Sequence, residues 1–202
     1  MNACIANVYA IILAAGSSSR MGSPKQLLKW QNHSMLEHVI QNARLVFNEH
    51  VFVVLGAHAE SIQTAVDFGS VSVIINPDWT EGVASSIRAG IQAVPDSASA
   101  ALILLGDQPL INNAHIQAIL SGWQNEPARM VASQYNNSVG VPALFPAEFF
   151  STLLELKGDQ GAKRLLLEFG NSVLKIVFPE AELDIDTMDD YYQLTRHYAA
   201  EE

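Results

Sequence analysis

Residues 13–25 read LAAGSSSRMGSPK and come at the end of a short apolar run that predicts a buried strand. The stretch itself is too polar and too rich in glycine and serine to form a strand or a helix. Gly16 and Gly22 have no side chains, so the backbone N–H groups of this loop stay open to a ligand. Arg20 and Lys25 add two positive charges, and an ordinary turn requires neither this length nor both cations. Open amides with fixed cations beyond a buried strand predict a binding site for a polyphosphate.

The rest of the chain alternates between predicted strands and predicted helices. Apolar runs predict strands at residues 8–13, 51–55, 71–75, 101–105, 130–133, 143–145 and 174–177. Helical spacing of apolar residues predicts helices at 35–47, 61–66, 83–94, 114–123, 147–156, 161–169 and 188–197. Strands that are buried on both faces and separated by helices indicate a three-layer α/β fold with a mostly parallel central sheet. The less regular spacing late in the chain is compatible with an antiparallel edge or insertion.

The loops that follow three of the predicted strands are expected to meet at one edge of the sheet. In open parallel sheets, ligands bind beyond the carboxyl ends of the strands. The loops after the strands at 8–13, 71–75 and 101–105 therefore share an edge with the polyphosphate site. Asp107 directly follows the most apolar strand, and Trp79 is the tryptophan best placed to line a pocket at this edge.

Length, net charge and cysteine content exclude several classes of partner and of metal site. The chain has 202 residues, which suits one domain spanning residues 1–202. Eleven basic and twenty-one acidic residues give a net charge of -10, which argues against nucleic acid or an anionic membrane as a partner. Cys4 is the only cysteine, so an intrachain disulfide and a cysteine metal cluster are both excluded, and the six histidines show no metal-ligand spacing. Without a signal peptide or a long apolar span, we expect a soluble cytoplasmic protein.

Two familiar phosphate-binding loops are excluded by spacing. The dinucleotide-binding fingerprint requires G-x-G-x-x-G, whereas five residues separate Gly16 from Gly22. The P-loop requires G-x-x-x-x-G-K-[ST], but here the gap between the glycines is one residue longer and Lys25 comes three residues after Gly22. The polyphosphate loop therefore belongs to a different class.

The loop resembles the signature L-A-[AG]-G-x-S-x-R-M-G-x-x-K of the MobA-like nucleotidyltransferase superfamily, and every constrained position matches. Further matches are Asn76-Pro77-Asp78-Trp79 with Gly82 and Ser85-Ser86, Gly106-Asp107-Gln108-Pro109, Gly140-Val141-Pro142 with Phe145, Gly158-Asp159-Gln160-Gly161-Ala162 and Asp184-Ile185-Asp186-Thr187. The set spans almost the whole chain and is most similar to the molybdenum cofactor cytidylyltransferase branch. This resemblance implies a Rossmann-like nucleotidyltransferase fold of the glycosyltransferase-A-like kind.

The resemblance also implies roles for individual residues. The catalytic residues are Arg20, Lys25 and Asp107. The residues that bind the nucleotide are Leu13, Ala14, Ala15, Gly16, Ser17, Arg20, Lys25, Gly82, Ser85, Ser86 and Asp107. The metal ligands are Asp107 and Asp186, with Mg²⁺ as the expected ion and Mn²⁺ as an alternative. The residues that contact the acceptor are Gly140, Pro142 and Asp159.

These residues suit transfer of a nucleotidyl group with release of pyrophosphate. Arg20 can fork onto two phosphate oxygens and Lys25 supplies a point charge, while Mg²⁺ takes carboxylates together with substrate phosphates. The resemblance implies CTP as the donor, a molybdopterin-type acceptor and, as a further partner, a molybdenum hydroxylase. The attacking group is then the acceptor's phosphate, whose second pKa is about 6, so it is largely anionic at neutral pH without a general base. Positioning and charge neutralisation would carry the catalysis.

Other functions stay open at this stage. The guanylyl branch of the family favours Gly where this chain has Ala15, but the cytidylyl branch more often has Thr where this chain has Leu13. A sugar- or polyol-phosphate nucleotidyltransferase shares the loop, although the motifs at Gly106 and Gly140 argue against it. A chaperone that hands the cofactor to a molybdenum hydroxylase without turnover is the alternative that is not an enzyme.

Some of the acidic residues also have plain structural explanations. Asp107 and Asp159 could each serve as the N-cap of the helix that follows. Asp186 could be an ordinary loop acid, and Asp184 could replace it as a metal ligand. Thr187 is a good N-cap for the last predicted helix, so the two acids at 189 and 190 are assigned to capping and to the helix dipole.

Overall fold

The computed structural model describes residues 7–19, 21–136, 138–182, 185 and 187–198. Its strands are β1 (Val8–Ala14), β2 (Lys29–Trp30), β3 (His33–Ser34), β4 (Val51–Leu55), β5 (Ser72–Ile75), β6 (Ala100–Leu105), β7 (Val131–Tyr135), β8 (Ser138–Pro146) and β9 (Leu174–Val177). Its helices are α1 (Met35–Phe47), α2 (Ala59–Ala65), α3 (Val83–Ala93), α4 (Asn113–Asn125), α5 (Phe150–Leu154), α6 (Ala162–Phe169) and α7 (Met188–Tyr198). Short 3-10 turns include Lys25–Leu27, Trp79–Glu81 and Ala147–Phe149. Within the described ranges, no helix is both long enough and apolar enough to cross a bilayer.

The central sheet has seven strands in the order β5-β4-β1-β6-β8-β7-β9. Strands β5, β4, β1 and β6 are parallel, and β8 runs antiparallel to both of its neighbours, β6 and β7. The expectation of a mostly parallel sheet is confirmed. Of the two arrangements expected late in the chain, the insertion is the one found, because β7 and β9, which lie beyond β8, run in the same direction as β6. The antiparallel direction of β8 follows from its short connection to β7, which allows a hairpin but is too short for a parallel return.

Helices cover both faces of the sheet, which confirms the three-layer fold. Along β1, Ala10 and Ile12 pack with α1 and α4 on one face. Ile11 and Leu13 pack with α3, α5 and α6 on the other face. Because β1 is buried on both faces, its sequence is a continuous apolar run without polar alternation.

Helix boundaries follow the capping residues. Helix α1 begins after Ser34, whose hydroxyl accepts the Glu37 N–H while the Glu37 carboxylate accepts the Ser34 N–H. Thr187 and Asp190 form the same reciprocal pair at the start of α7, as predicted. The predicted helix at 147–156 is shorter, since a 3-10 turn occupies its first residues and α5 ends at Leu154.

A third apolar cluster lies apart from the two faces of the sheet. It joins Met21, Trp30 and Met35 to Ile185 and Leu194. The cluster thereby packs the loop after β1 and the β2–β3 hairpin against α7 and the chain just before it.

Candidate active site

A cavity of about 390 Å³ lies at the carboxyl edge of the parallel strands. It is lined by residues of the three loops that were expected to meet there, and by Asp159. The lining residues are Leu13, Ala14, Ala15, Gly16, Ser17, Lys25, Gln26, Trp79, Thr80, Gly82, Val83, Ser86, Leu105, Gly106, Asp107 and Asp159. The signature loop, Trp79 and Asp107 therefore surround one space large enough for part of a small ligand.

The signature loop is closed by hydrogen bonds to Ser18. Ser18 has a left-handed backbone with φ of 51°, and its carbonyl accepts the Met21 N–H at 2.9 Å. Its hydroxyl accepts the Lys25 N–H at 3.1 Å. Gly16 and Ser17, on the cavity side, are exposed. The loop thus bends back on itself and leaves its glycine-serine half open to the cavity.

Two polar residues that the sequence analysis did not single out hold this loop in place. Gln26 is 2% exposed, and its Nε2 donates to the carbonyl of Ala14 at 3.1 Å. A ring nitrogen of His58 lies 2.8 Å from the carbonyl oxygen of Ser17. Gln26 was overlooked because a glutamine beside a lysine normally indicates an exposed turn. Its burial comes from the tertiary position of the 3-10 turn under the loop.

Lys25 and Asp107 form an ion pair at the floor of the cavity. Their side chains are only 16% and 13% exposed, so water screens this pair less than it screens a surface pair. Asp107 does not cap a helix, since the N-cap of α4 is Asn112, five residues later. The structure therefore brings two predicted site residues from distant parts of the chain into direct contact.

The side of the cavity formed by the turn after β5 is organised by Asn76. Its side-chain Nδ2 donates to the hydroxyls of Ser85 at 2.9 Å and Ser86 at 3.1 Å. Ser86 lines the cavity, whereas the Ser85 hydroxyl donates to the carbonyl of Gly82 at 2.8 Å. Gly56 packs behind this turn, because a Cβ there would lie 2.6 Å from the Cβ of Trp79. Of the two predicted serines, Ser86 faces the ligand space and Ser85 supports the backbone.

The predicted acceptor residues lie in two places. Asp159 lines the cavity and is not a helix cap, because Gly161 is the N-cap residue of α6. Gly140 and Pro142 are buried in β8, where the Ser133 hydroxyl donates to the Pro142 carbonyl at 2.8 Å. They lie near the edge where β6 ends, because β8 pairs with β6 in the antiparallel direction from Ala143 onward. They are not among the residues that line the cavity.

A family model described as the MobA-like NTP transferase domain matches residues 10–173. The chain belongs to this family. The resemblance drawn from the motifs is thereby confirmed.

Individual relatives are similar along nearly their full length. Molybdenum cofactor cytidylyltransferase of Escherichia coli (strain K12) is 27% identical over 192 residues, covering 95% of this chain and 97% of that protein. Nicotine blue oxidoreductase of Paenarthrobacter nicotinovorans is 26% identical over 198 residues, covering 93% and 96%. The crystal structure of Rv0371c in complex with manganese, from Mycobacterium tuberculosis H37Rv, has a TM-score of 0.78 and 27% identity, covering 93% of this chain and 97% of that one. Two relatives that differ by only one percentage point in identity carry the names of different activities, so similarity alone does not assign a substrate.

Three acidic or basic residues predicted from the MobA-like motifs, Arg20, Asp184 and Asp186, lie outside the described residues. Their neighbours are informative. Ile185 shares the third apolar cluster with Met21, the residue after Arg20. The Gln108 side chain, next to Asp107, donates to the carbonyl of Ala181 at 2.9 Å. The chain before α7 thus passes close to both the signature loop and the Asp107 loop.

A divalent cation such as Mg²⁺ would need oxygen ligands at this site. Among the described His, Cys, Asp and Glu side chains, no group of three could hold a metal ion. Mg²⁺ usually needs fewer protein ligands, because it takes one or two carboxylates and completes its octahedron with substrate phosphates and water. The Asp107 carboxylate lines the cavity beside the signature loop and fits that requirement.

The role of Gln26 can be tested by Gln26→Leu. This change keeps the size of the side chain but removes the hydrogen bond to Ala14. We expect unfolding free energy to fall by about 2 kcal/mol, because a buried polar group loses its partner. We also expect the affinity for nucleoside triphosphate to fall several-fold, since the loop loses its support. Urea unfolding and calorimetric titration measure the two effects, with the exposed Gln63→Leu in α2 as control. Unchanged affinity and stability would contradict the role assigned to Gln26.

Proposed function

We propose that this chain transfers CMP from CTP to the phosphate of a molybdopterin-type acceptor and releases pyrophosphate. The observation that carries the proposal is the Lys25–Asp107 pair, which lies in a cavity built from the signature loop. The name of the Escherichia coli relative supports CTP and the molybdenum cofactor as substrates. The proposal includes one nucleotidyltransferase domain over residues 1–202, a cytoplasmic location, and delivery of the product to a molybdenum hydroxylase.

The transfer is a single displacement at phosphorus. An oxygen of the acceptor's phosphate forms a new bond to the α-phosphorus of CTP. The bond from that phosphorus to the bridging oxygen breaks, and pyrophosphate leaves with the electron pair. Lys25, together with Arg20, holds and neutralises the negative oxygens, and the open amides of the signature loop add fixed dipoles. Because the attacking phosphate is already anionic, the cavity needs no general base.

A divalent cation is part of this proposal. Asp107, with Asp186 as its second ligand, would hold Mg²⁺ or Mn²⁺ there. The ion would offset negative charge on the phosphate oxygens of the bound nucleotide. The manganese complex of the relative Rv0371c supports the use of a divalent cation. The Asp107 carboxylate, which lines the cavity, supports binding of that cation within the cavity. What the chain itself contributes is the placement of Asp107, which follows from its position directly after β6.

Measuring pyrophosphate release tests this function. Purified protein is assayed with CTP, GTP and UTP, with Mg²⁺, and with or without molybdopterin. We expect release that requires both CTP and molybdopterin, and a mass increase of the acceptor by one CMP. Preference for GTP would establish the guanylyl alternative instead. Tight nucleotide binding without release from any triphosphate would leave the chaperone and contradict the proposed enzyme.

A further inference from the structure

An ion pair outside the cavity connects three segments that meet near Asp159. The Arg88 guanidinium of α3 donates to the Glu81 carboxylate through both terminal nitrogens, one of them at 2.9 Å. Arg88 also donates to the carbonyl of Leu156 at 2.7 Å. Glu81 in turn accepts the N–H of Gly158 at 3.3 Å. The side chains of Glu81 and Arg88 thus join the turn before α3 to the loop that precedes α6.

This loop carries Asp159 to the cavity. Gly158 lies on Gly82, since a Cβ at Gly82 would be 2.5 Å from both the Gly158 carbonyl oxygen and Asp159 Oδ1. The Ala84 N–H donates to the Gly158 carbonyl at 3.1 Å. Two of the three hydrogen bonds that fix the loop before Asp159 to α3 and its turn therefore come from the Glu81–Arg88 pair.

We propose that Glu81 and Arg88 are positioning residues that hold Asp159 at the cavity for the acceptor substrate. This inference rests on the proposed function, in which Asp159 contacts the acceptor. Asp159 is exposed and sits on a loop with a left-handed glycine, so its placement depends on contacts outside the cavity. A carboxylate placed in this way would accept hydrogen bonds from amino or hydroxyl groups of the acceptor.

The nucleotide side of the cavity has its own support. The Asp78 N–H donates to the Asn76 side chain at 3.0 Å, and the Glu81 N–H donates to the Asp78 carbonyl at 2.9 Å. The Gly82 N–H donates to the Trp79 carbonyl at 3.2 Å. These bonds do not involve the side chains of Glu81 or Arg88. Loss of the ion pair should therefore affect the acceptor more than the nucleotide.

Electrostatics agree with this arrangement. The hydrogen bond from Arg88 is the main cause that lowers the pKa of Glu81, and the bond from Gly158 lowers it further. The same carboxylate raises the pKa of Arg88. Both groups therefore stay charged at neutral pH. Both side chains are nonetheless partly exposed, at 39% and 23%, so the pair is expected to add little to global stability.

The chain contains a matched control pair on another part of the surface. Arg129 donates to Glu126 at 2.7 Å and also to the carbonyls of Asn171 and Ser172. This second pair likewise joins a helix end to a loop. It lies before β7, at the opposite end of the strands from the cavity. Neither of its members lines the cavity.

Glu81→Ala, Glu81→Gln and the control Glu126→Ala are compared in steady-state assays of CTP and molybdopterin turnover. For Glu81→Ala we expect the acceptor KM to rise about tenfold, with the CTP KM changed less than about twofold. Glu81→Gln keeps a side-chain oxygen that can accept the Gly158 N–H, so its acceptor KM should rise less than that of Glu81→Ala. Trypsin cuts the peptide bond between Lys157 and Gly158. Its limited digestion should be faster in Glu81→Ala, because the Gly158 N–H of that bond loses its hydrogen bond to the Glu81 carboxylate. Glu126→Ala should change none of these values.

Each result has a defined meaning. Turnover of the wild-type protein tests the proposed function, and absence of turnover would contradict that function. The limited trypsin digestion would still show whether the ion pair holds the loop before Asp159. An unchanged acceptor KM in an active Glu81→Ala protein would overturn the positioning role. An equal rise of both KM values, or a thermal midpoint lowered far more than in Glu126→Ala, would also overturn it because both indicate general destabilisation.

Discussion

Replacing Asp107 with asparagine is expected to lower kcat by about a thousandfold. Loss of one group that stabilises the charge of a transition state has an effect of this size. The substitution keeps the shape of the side chain but removes the charge that pairs with Lys25 and that would hold the divalent cation. The expected thermal midpoint falls by only a few degrees, since asparagine can still accept a hydrogen bond from Lys25. Single-turnover release of pyrophosphate and a thermal melt measure the two quantities.

Asp96→Asn is the matched control for Asp107→Asn. Asp96 is an exposed acid before β6, whereas Asp107 follows that strand. The control therefore makes the same chemical change at the other end of the same strand, and its kcat should equal that of the wild type. If Asp107→Asn keeps more than about a tenth of the wild-type kcat, the Asp107 carboxylate contributes less than about tenfold to the rate, and the role assigned to it is wrong.

Gly82→Ala is expected to lower unfolding free energy by about 3 kcal/mol and to abolish measurable nucleotide binding. Gly82 has φ of 119°, a backbone conformation that residues with side chains rarely adopt. An added Cβ would also lie 2.5 Å from the backbone carbonyl oxygen of Gly158. The backbone would have to shift at the point where the nucleotide side of the cavity meets the Asp159 loop.

Urea unfolding and calorimetric titration with CTP would measure the effects of Gly82→Ala. Gly16→Ala is the control for stability alone, because a Cβ at Gly16 meets no atom within 4 Å. Its unfolding free energy should stay within about 0.5 kcal/mol of the wild-type value. A Gly82→Ala protein as stable as Gly16→Ala, with normal affinity for CTP, would show that neither the backbone conformation nor the close contact constrains the site.

The sequence predicted those elements whose local signals agree with their tertiary surroundings. Helix α1 has the predicted bounds because its apolar spacing and its capping box specify the same start. The β2–β3 hairpin was missed because strands of two residues have no periodicity to detect. Strand β8 was predicted only at 143–145, since its first half contains Gly140 and Pro142, which are poor strand formers.

In the candidate site, the charged residues that line the cavity were easier to predict than the residues that hold its loops in place. Lys25 and Asp107 meet because each follows a neighbouring parallel strand, and that rule can be applied to a sequence. Gln26, His58 and Arg88 act through contacts to backbone carbonyls far along the chain. Such contacts depend on how the loops pack after the sheet has formed, and the local sequence carries no signal for them.

The third apolar cluster has a consequence for how the protein is made. Met21 and Trp30 leave the ribosome early, but Ile185 and Leu194, which complete their packing, are synthesised near the end. A nascent chain can pair its first parallel strands long before the loop beside Met21 acquires these neighbours. The packing of the loop beside Met21 is therefore completed late in synthesis, and a chain terminated before its last helix would carry the whole signature without that packing.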